Sequence, residues 1–232
     1  MDRRYAPDRV AAVVNELGAE VVGLQEVDTR RPQHENLHQL DYIEKVTGLT
    51  AVAGANIREA RGDYGNALLS AWPVAAVRRH DLSHSRREPR GALDVDLATP
   101  AGLLRVIVTH LGLGWGERKQ QIMRLLQAVE PLADRPTLLM GDFNDWLPRG
   151  GPHLRRLKRF FAASYGGRSY PAPCPMLALD HIYAHPAPAE ATARVHASAT
   201  ARRASDHLPV TLRFAWPARA GDHKPAMAPL TS

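Results

Sequence analysis

The sequence predicts a mixed α/β protein, a single domain in which helices pack over β-sheets. Three observations support this prediction. Apolar residues recur at helical spacing in several segments, other segments are continuous or alternating apolar runs typical of strands, and helices and strands alternate early whereas strands dominate late. The 232 residues suffice for one large domain, and neither an internal repeat nor a linker divides the chain.

In the first half of the chain we expect two helices and three strands. Residues 7–17 form a helix, because their apolar residues follow i, i+3, i+4, i+7 spacing and Gly18 ends the pattern. A second helix covers residues 36–47 and ends at Gly48. The strands are the buried run EVVGLQEVD at 20–28, the run NALLSAWPV at 66–74, and the alternating, half-buried run ALDVDLAT at 92–99.

The second half is expected to contain four strands and two helices. LLRVIVTHL at 103–111 and TLLMGDFN at 137–144 are continuous apolar runs typical of fully buried strands. The helix between them covers residues 117–132, and a short helix carries Leu154, Leu157 and Phe161. LDHIYAH at 179–185 and VTLRFAW at 210–216 complete the strands, and the polar, Pro/Ala-rich residues 217–232 are expected to be a disordered tail.

Composition limits the cellular setting and the partners. A single cysteine, Cys174, excludes a scaffold held by intrachain disulfides. The sequence begins without the apolar core of a signal peptide and has no apolar run near the ~20 residues of a membrane span, so we expect a cytoplasmic monomer. The net charge of +6 suits a polyanionic partner such as nucleic acid, although an arginine-rich solvated surface explains it equally well.

Five apolar segments carry ionisable or amide groups near one end. Each group alone is weak evidence, because Gly-Asp pairs suit turns and a lone histidine is usually structural. Ligands in α/β folds gather where loops leave the ends of strands, so we expect these groups to converge. They are Glu26, His110, Asp142 with Asn144, Asp180 with His181, and Asp206 with His207.

The chemistry of these side chains points to phosphate-ester hydrolysis. Burying several carboxylates together is costly unless a positive charge compensates them. Carboxylate and amide oxygens suit a hard divalent cation, Mg²⁺ or Mn²⁺, and histidines add proton transfer or phosphate binding. A divalent cation, acids and histidines on a basic protein therefore predict a metal-dependent phosphoesterase.

The same residues form ordered motifs that resemble the endonuclease/exonuclease/phosphatase superfamily. These motifs are Gln25-Glu26, Thr109-His110, the Gly-Asp-Phe-Asn run at 141–144, the Leu-Asp-His-Ile run at 179–182 and the Ser-Asp-His-Leu-Pro run at 205–209. The resemblance implies a four-layered α/β sandwich, with two mostly antiparallel sheets flanked by helices. It also implies a Mg²⁺-dependent enzyme that directs the in-line attack of water on phosphorus.

The resemblance also implies a role for each site residue. Glu26 is a metal ligand, and Asp206 supports the metal or the catalytic histidine. The catalytic residues have separate tasks. Asp142 holds or deprotonates the attacking water, Asn144 orients the water or the phosphate, His110 is a candidate acid for the leaving group, His207 binds the scissile phosphate, and Asp180 fixes the tautomer of His207. Asn66 and Arg90 are candidate substrate-binding residues.

The sequence departs from the family pattern at its start. Family members open with a strand that ends in an asparagine and precedes the helix that begins here near Pro7. No such segment is present in this sequence. We therefore expect a domain over residues 1–216 that is N-terminally truncated or has a misassigned start.

Two other functions are open at this point. HENLH at residues 34–38 fits the H-E-x-x-H motif of zinc peptidases, which requires both histidines on one face of a helix. The departure at the N-terminus favours the second alternative, a non-catalytic or weakly active interaction protein on a truncated fold of the same family. Within the phosphoesterase prediction, the sequence does not distinguish nucleic acid from other phosphate esters.

Overall fold

A computed structural model describes residues 6–30, 38–130, 132, 135–147 and 151–215. Within these ranges five helices accompany eleven strands. The helices are α1 (Pro7–Leu17), α2 (Gln39–Thr47), α3 (Trp115–Val129), α4 (Pro152–Phe160) and α5 (Ala201–Ala204). The strands are β1 (Val21–Asp28), β2 (Thr50–Glu59), β3 (Gly62–Ser70), β4 (Val74–Asp81), β5 (Gly91–Thr99), β6 (Gly102–His110), β7 (Thr137–Asp142), β8 (Ala163–Gly166), β9 (Asp180–His185), β10 (Ala189–Val195) and β11 (Val210–Ala215).

The strands form two main sheets and one small ribbon. The larger sheet has the order β4-β5-β6-β7-β9-β8, and the smaller one has the order β1-β3-β2. β10 and β11 pair as a two-stranded ribbon. The described strands pair antiparallel throughout, except that β6 and β7 are parallel and are connected through α3. Such a pair requires a crossover, which the helix provides.

Alternating side chains on the strands produce four layers. Leu69 of β3 packs against α1 and α2, whereas its neighbour Leu68 faces the larger sheet. Likewise, Val106 and Val108 of β6 face the smaller sheet, whereas Ile107 packs against α3 and α4. The order is therefore helices, small sheet, large sheet, helices, which confirms the expected four-layered sandwich with mostly antiparallel sheets.

The prediction that residues 92–99 form a half-buried strand is wrong. The face with Leu93, Val95 and Leu97 lies in the core between the sheets as expected, but the opposite face is buried as well. Asp94, on that opposite face, is completely buried and accepts hydrogen bonds from Arg105 at 2.6 and 3.0 Å. The periodicity of one strand cannot reveal that charged partners on its neighbours cover its polar face.

Asp94 is the centre of a buried ionic network on the larger sheet. Arg78 donates to both of its oxygens at 2.8 and 3.0 Å, and His80 Nε2 lies 3.0 Å from Oδ2. Burial opposes the charge, but hydrogen bonds from Arg105 and Arg78 hold the pKa of Asp94 below its ordinary value. Arg105 also donates to the carbonyl of Val129 at 2.9 Å, so the network connects the sheet to the end of α3.

Other boundaries differ from the sequence expectations in detail. NALLSAWPV is not one strand, because β3 ends at Ser70 and Val74 begins β4. The helix expected over 117–132 lies at Trp115–Val129, and the one expected over 36–47 is observed as Gln39–Thr47. Strands β2, β4, β8 and β10 and the short helix α5 were not predicted, because their sequences are either very short or composed mainly of alanine and polar residues.

Two expectations concern residues at the limits of the description. The expected tail at 217–232 lies outside the described residues, and the expected truncation at the N-terminus stays a prediction. None of the helices in the described part of the chain combines the length and the apolar character that a bilayer span requires.

Gly141 permits the close approach of the two parallel strands. Its φ is +148°, and a Cβ atom at this position would lie 1.8 Å from the carbonyl oxygen of Thr109, on the neighbouring strand β6. Only glycine fits both the backbone conformation and this approach. Because Asp142 follows directly, Gly141 positions the end of β7 beside the end of β6.

We predict that Gly141→Ala destabilises the protein at least about 2 kcal/mol more than Gly102→Ala does, measured as the free energy of unfolding in urea. Gly102 is the matched control, because its φ is also positive, at +107°, but no atom lies within 4 Å of a Cβ placed there. Both variants suffer backbone strain, and only Gly141→Ala adds a clash between β6 and β7. Equal losses of stability would contradict the close-approach role.

Candidate active site

The register of the larger sheet brings three predicted site residues side by side. His110 of β6 pairs with Asp142 of β7, and Asp142 pairs with Asp180 of β9. All three lie at the same edge of the sheet, because the parallel strands β6 and β7 end there and the antiparallel strand β9 begins there. The predicted convergence of these groups is therefore present in the structure.

Asn144 is held against this edge by a tight turn. Its φ is +49°, and its backbone N–H donates to Asp142 Oδ1 at 2.8 Å. The side-chain amide donates to the carbonyl of Leu111 at 2.8 Å. Phe143, between the two polar residues, points into the core and is fully buried. The turn thus presents Asp142 and Asn144 together while the residue between them anchors the strand end.

His207 approaches the edge from the loop before β11 and forms a pair with Asp180. Its Nδ1 lies 2.8 Å from Asp180 Oδ2, which also accepts a hydrogen bond from the Ser169 hydroxyl. Burial opposes protonation of His207, but the hydrogen bond and charge of Asp180, followed by the charge of Asp142, raise its pKa to about 9. At neutral pH the ring is therefore an imidazolium with Nδ1–H directed at Asp180.

Asp142 is the buried acid at the centre of the group. Its Oδ2 is 3.9 Å from His207 Nε2 and 3.5 Å from His110 Nε2. Burial first, and then the nearby charge of Asp180, raise the pKa of Asp142 to about 7. The negative charges of Asp142 and Asp180 repel each other at this short distance. Binding of a cation or of a proton relieves this repulsion.

His110 is held as a neutral ring by burial and by Arg90. Burial is the main cause that lowers its pKa to about 3, and the charges of Arg90 and His207 lower it further. Arg90 Nη1 lies 3.0 Å from His110 Nδ1 and 2.9 Å from Glu88 Oε1. A guanidinium only donates hydrogen bonds, so Nδ1 accepts and the ring proton resides on Nε2.

This tautomer directs a proton towards Asp142. The Nε2 atom of His110 has Asn144 Nδ2 at 3.1 Å and Asp142 Oδ2 at 3.5 Å. Since the amide nitrogen is itself a donor, Asp142 Oδ2 is the nearby oxygen that faces Nε2–H, at a separation that is long for a hydrogen bond. Arg90 therefore determines which ring nitrogen of His110 carries the proton that faces Asp142.

Glu26 belongs to the smaller sheet and faces the site across the sandwich. β1 has a bulge between Leu24 and Val27, and Glu26 within it has a φ of +58°. Such bulges change the direction of a side chain, often beside active sites. The charge of Glu26 contributes to the raised pKa of Asp142, so the two carboxylates interact. The apolar pattern of the strand did not predict the bulge.

The structure places the remaining predicted site residues farther from this centre. Asn66 is buried and donates to the carbonyl of Gly91 at 3.0 Å, and Arg90 is buried behind His110. The Asp206 side chain is exposed, and its charge is one of the minor causes that raise the pKa of His207. Ser169 and Glu88 also contact site residues, although no motif in the sequence marks either of them.

One group of possible metal ligands lies at this site. Ligand atoms of Asp142, Asp180 and His207 all lie within 4.8 Å of one another, and this is the one such group of three among the described residues. Glu26 and Asp206, the predicted metal ligands, are not part of the group. Its two carboxylates, together with the raised pKa of Asp142, fit a divalent cation that prefers oxygen ligands.

The zinc-peptidase alternative receives no support from the described part of its motif. Residues 34–37 lie outside the described residues, and His38 has an extended backbone, with ψ of 159°, at the position before α2 begins. The second histidine of the motif is therefore not on a helix, as the motif requires. His38 is also absent from the group of possible metal ligands.

Comparison with known proteins identifies the family to which the chain is related. A model of the Endonuclease/Exonuclease/phosphatase family matches residues 1–207. "Uncharacterized protein YbhP" of Escherichia coli (strain K12) is 31% identical over 225 residues, which cover 90% of this chain and 88% of that protein. The chain is thus similar to YbhP along almost its whole length.

Solved structures share the fold at lower identity. A conserved protein of unknown function from Enterococcus faecalis V583 superposes with a TM-score of 0.72 at 18% identity, covering 90% of this chain and 91% of that one. The mannosyl-6-phosphatase Bt3783 of Bacteroides thetaiotaomicron VPI-5482 gives 0.65 at 16% identity and covers 90% of each chain. These similarities establish the fold, and the site must be judged from its own residues.

We predict that Arg90→Met changes the tautomer of His110. The substitution removes the donor to Nδ1 while keeping an apolar chain of similar length, so the neutral ring becomes free to carry its proton on Nδ1. Nitrogen-15 NMR of the imidazole should show an Nε2–H ring in the native protein and a tautomer mixture in the variant. Arg86→Met, at an exposed position, is the control. An unchanged tautomer in Arg90→Met would contradict the assignment.

Proposed function

Because the chain belongs to the endonuclease/exonuclease/phosphatase family, we propose that it hydrolyses phosphate esters with the help of a divalent cation, Mg²⁺ or Mn²⁺. The observation that carries the proposal is the juxtaposition of Asp142, Asp180 and His207 at one sheet edge, with two carboxylates and one imidazolium in reach of a common point. Phosphoryl transfer requires such positioning together with positive charge around the phosphoryl oxygens.

The cation would be held by carboxylate oxygens. Asp142 Oδ2 is directed into the site, and Glu26 approaches from the opposite sheet closely enough to affect the pKa of Asp142. Asp180 Oδ2 already accepts from His207 and Ser169, so we assign Asp180 to orienting the histidine. When bound, the cation would stabilise negative charge on the phosphoryl oxygens and lower the pKa of a coordinated water.

The protein groups divide the remaining work. Asp142, with a pKa near neutrality, accepts the proton of the attacking water, and the Asn144 amide orients that water or the phosphate. The His207 imidazolium binds a phosphoryl oxygen, while Asp180 keeps Nδ1 protonated so that Nε2–H points into the site. Water attacks phosphorus in line with the ester oxygen, whose bond to phosphorus breaks as the new bond forms.

His110 and His207 differ in what they can give to the leaving group. His207 is protonated at neutral pH and can supply a proton, whereas neutral His110 can only donate a hydrogen bond from Nε2. Because the Nε2–H of His207 is already donated to a phosphoryl oxygen, we assign the proton on the leaving oxygen to solvent, and the role of a hydrogen-bond donor to His110. This refines the role of acid that the family resemblance suggests for His110.

The identity of the phosphate ester is the finer part of the proposal. The net charge of +6 supports an anionic substrate, and nucleic acid is one candidate. The structure named as a mannosyl-6-phosphatase shares the fold, which therefore does not select a substrate. A panel of plasmid DNA, abasic duplex, inositol phosphates, sphingomyelin and bis(p-nitrophenyl) phosphate would rank these classes.

We predict that Asp142→Asn lowers Mg²⁺-dependent hydrolysis of bis(p-nitrophenyl) phosphate by at least about 100-fold, because it removes both the base and a cation ligand. EDTA should abolish the native activity, and added Mg²⁺ should restore it. Asp41→Asn, on the exposed face of α2, is the control and should retain full activity. If Asp142→Asn were as active as the native protein, the hydrolysis would not arise at this site. That result would favour a non-catalytic interaction protein.

We predict a bell-shaped pH profile of kcat/KM. Activity should rise as Asp142 loses its proton, through a pKa of about 7 that a bound cation shifts lower, and fall as His207 loses its proton through a pKa of about 9. Asp180→Asn should move the alkaline limb to lower pH, because the charge that keeps His207 protonated is gone. Asp206→Asn, which removes only an exposed charge, should move that limb less. A fixed alkaline limb in Asp180→Asn would refute this assignment.

A further inference from the structure

Exposed apolar side chains are concentrated beside the active site. Among the residues that the structure describes, eight large apolar side chains are markedly exposed; four of them lie on loops next to the strand ends that carry the site, and a fifth begins α3. Leu113 and Met176, at 64% and 62%, are the most exposed of all. We call these five residues the apolar rim: Leu113, Trp115, Trp146, Leu147 and Met176.

Side-chain contacts connect one part of the rim directly to the catalytic histidine. The Trp146 ring lies 5.6 Å from the ring of Tyr170, and the Tyr170 ring lies 4.8 Å from that of His207. Met176 is held beside them, because its backbone N–H donates to the carbonyl of Tyr170 at 2.8 Å. Trp146 itself follows Asn144 by two residues, so this part of the rim borders the site.

The other part of the rim joins the first through the start of α4. The Trp115 ring is 4.4 Å from the ring of His153, and Gly151, two residues earlier, lies against Leu147. Leu113 belongs to the loop that follows His110 at the end of β6, and Trp115 is the first residue of α3 after that loop. Neighbouring residues therefore link the two parts of the rim, through His153 and Gly151 on one side and Tyr170 on the other.

A cation accompanies the rim. The guanidinium of Arg87 lies against Gly114, between Leu113 and Trp115, and its side chain is 58% exposed. Its contact with Glu117 is long, at 3.6 Å between Nε and Oε2. An exposed arginine among exposed leucine and tryptophan side chains is complementary to a surface that has anionic head groups above an apolar layer.

The composition of the rim favours a lipid surface over a nucleobase. Stacking of bases requires aromatic faces, which only the two tryptophans of the rim supply. Leu113, Leu147 and Met176 offer flexible aliphatic chains, which are unfavourable in water and gain from entering the interfacial layer of a bilayer. Tryptophan suits the same layer, because it has an apolar ring and one polar N–H.

We propose that the apolar rim and Arg87 dock the protein onto an anionic phospholipid surface. Docking in this orientation places Asp142 and His207 against the phosphate esters of the head groups, so lipid phosphate esters become the substrate class. The docking itself stands on the rim alone, whereas the assignment of the substrate rests on the proposed function.

Sedimentation with lipid vesicles tests the docking. Native protein should bind vesicles of phosphatidylcholine with 30% phosphatidylglycerol, and bind pure phosphatidylcholine vesicles much less. The double variant Leu113→Ser/Met176→Ser should bind the anionic vesicles at least about tenfold more weakly. Val77→Ser/Leu103→Ser is the matched control, because both side chains are exposed and Leu103 lies at the opposite end of β6 from His110. The control pair should bind as the native protein does.

A soluble ester separates the two proposals. All these variants should hydrolyse bis(p-nitrophenyl) phosphate at the native rate, since none alters a site residue. Vesicle binding without any such hydrolysis would overturn the proposed function and leave the docking intact. The docking proposal is overturned if the native protein does not bind anionic vesicles, or if the control pair loses as much binding as the rim variant. It is also overturned if the rim variant loses affinity for a single-stranded oligonucleotide but not for vesicles.

Discussion

The parallel pairing of β6 with β7 is the constraint on which the rest of the structure depends. It is the one parallel pair among the described strands, and it places the ends of two core strands at the same edge of the sheet. Antiparallel β9 then begins where β7 ends, so His110, Asp142 and Asp180 lie side by side. The pairing requires the crossover through α3 and the close approach that Gly141 permits. The site therefore derives its geometry from the core and not from flexible loops.

Two buried carboxylates show how the protein distinguishes structural from functional charge. Asp94 is surrounded by arginines, which hold its pKa below the ordinary value, so its charge is satisfied within the fold. Asp142 is also buried but faces another carboxylate, and burial raises its pKa to about 7. The fold thus leaves Asp142 short of positive charge, which a cation and a phosphoester site would supply. Perturbed groups of this kind are typical of active sites.

The sequence was informative where local pattern determines structure. Helical spacing predicted α1 at Pro7–Leu17, and apolar runs predicted β1, β6 and β7 with polar groups at their ends. The sequence did not predict contacts between side chains of different strands. Arg78 and Arg105, on the strands next to β5, bury Asp94. Arg90 contacts His110 only because β5 pairs with β6. Glu26 follows the same rule, because its direction depends on a bulge. The apolar rim was also invisible, since exposure is a property of the folded surface.

Paramagnetic broadening by Mn²⁺ tests the central claim most directly, which is that the carboxylates at the end of β7 form a cation-dependent phosphoester site. Mn²⁺ broadens NMR signals of nuclei close to where it binds, and the histidines provide signals in separate parts of the structure. At low Mn²⁺ concentrations, the ring protons of His207 and His110 should broaden first, while those of His80, in the Asp94 network, and His196, beside Glu16, stay sharp. Asp142→Asn should suppress this selectivity. First broadening at His80 or His196, or uniform broadening in the native protein, would contradict the account.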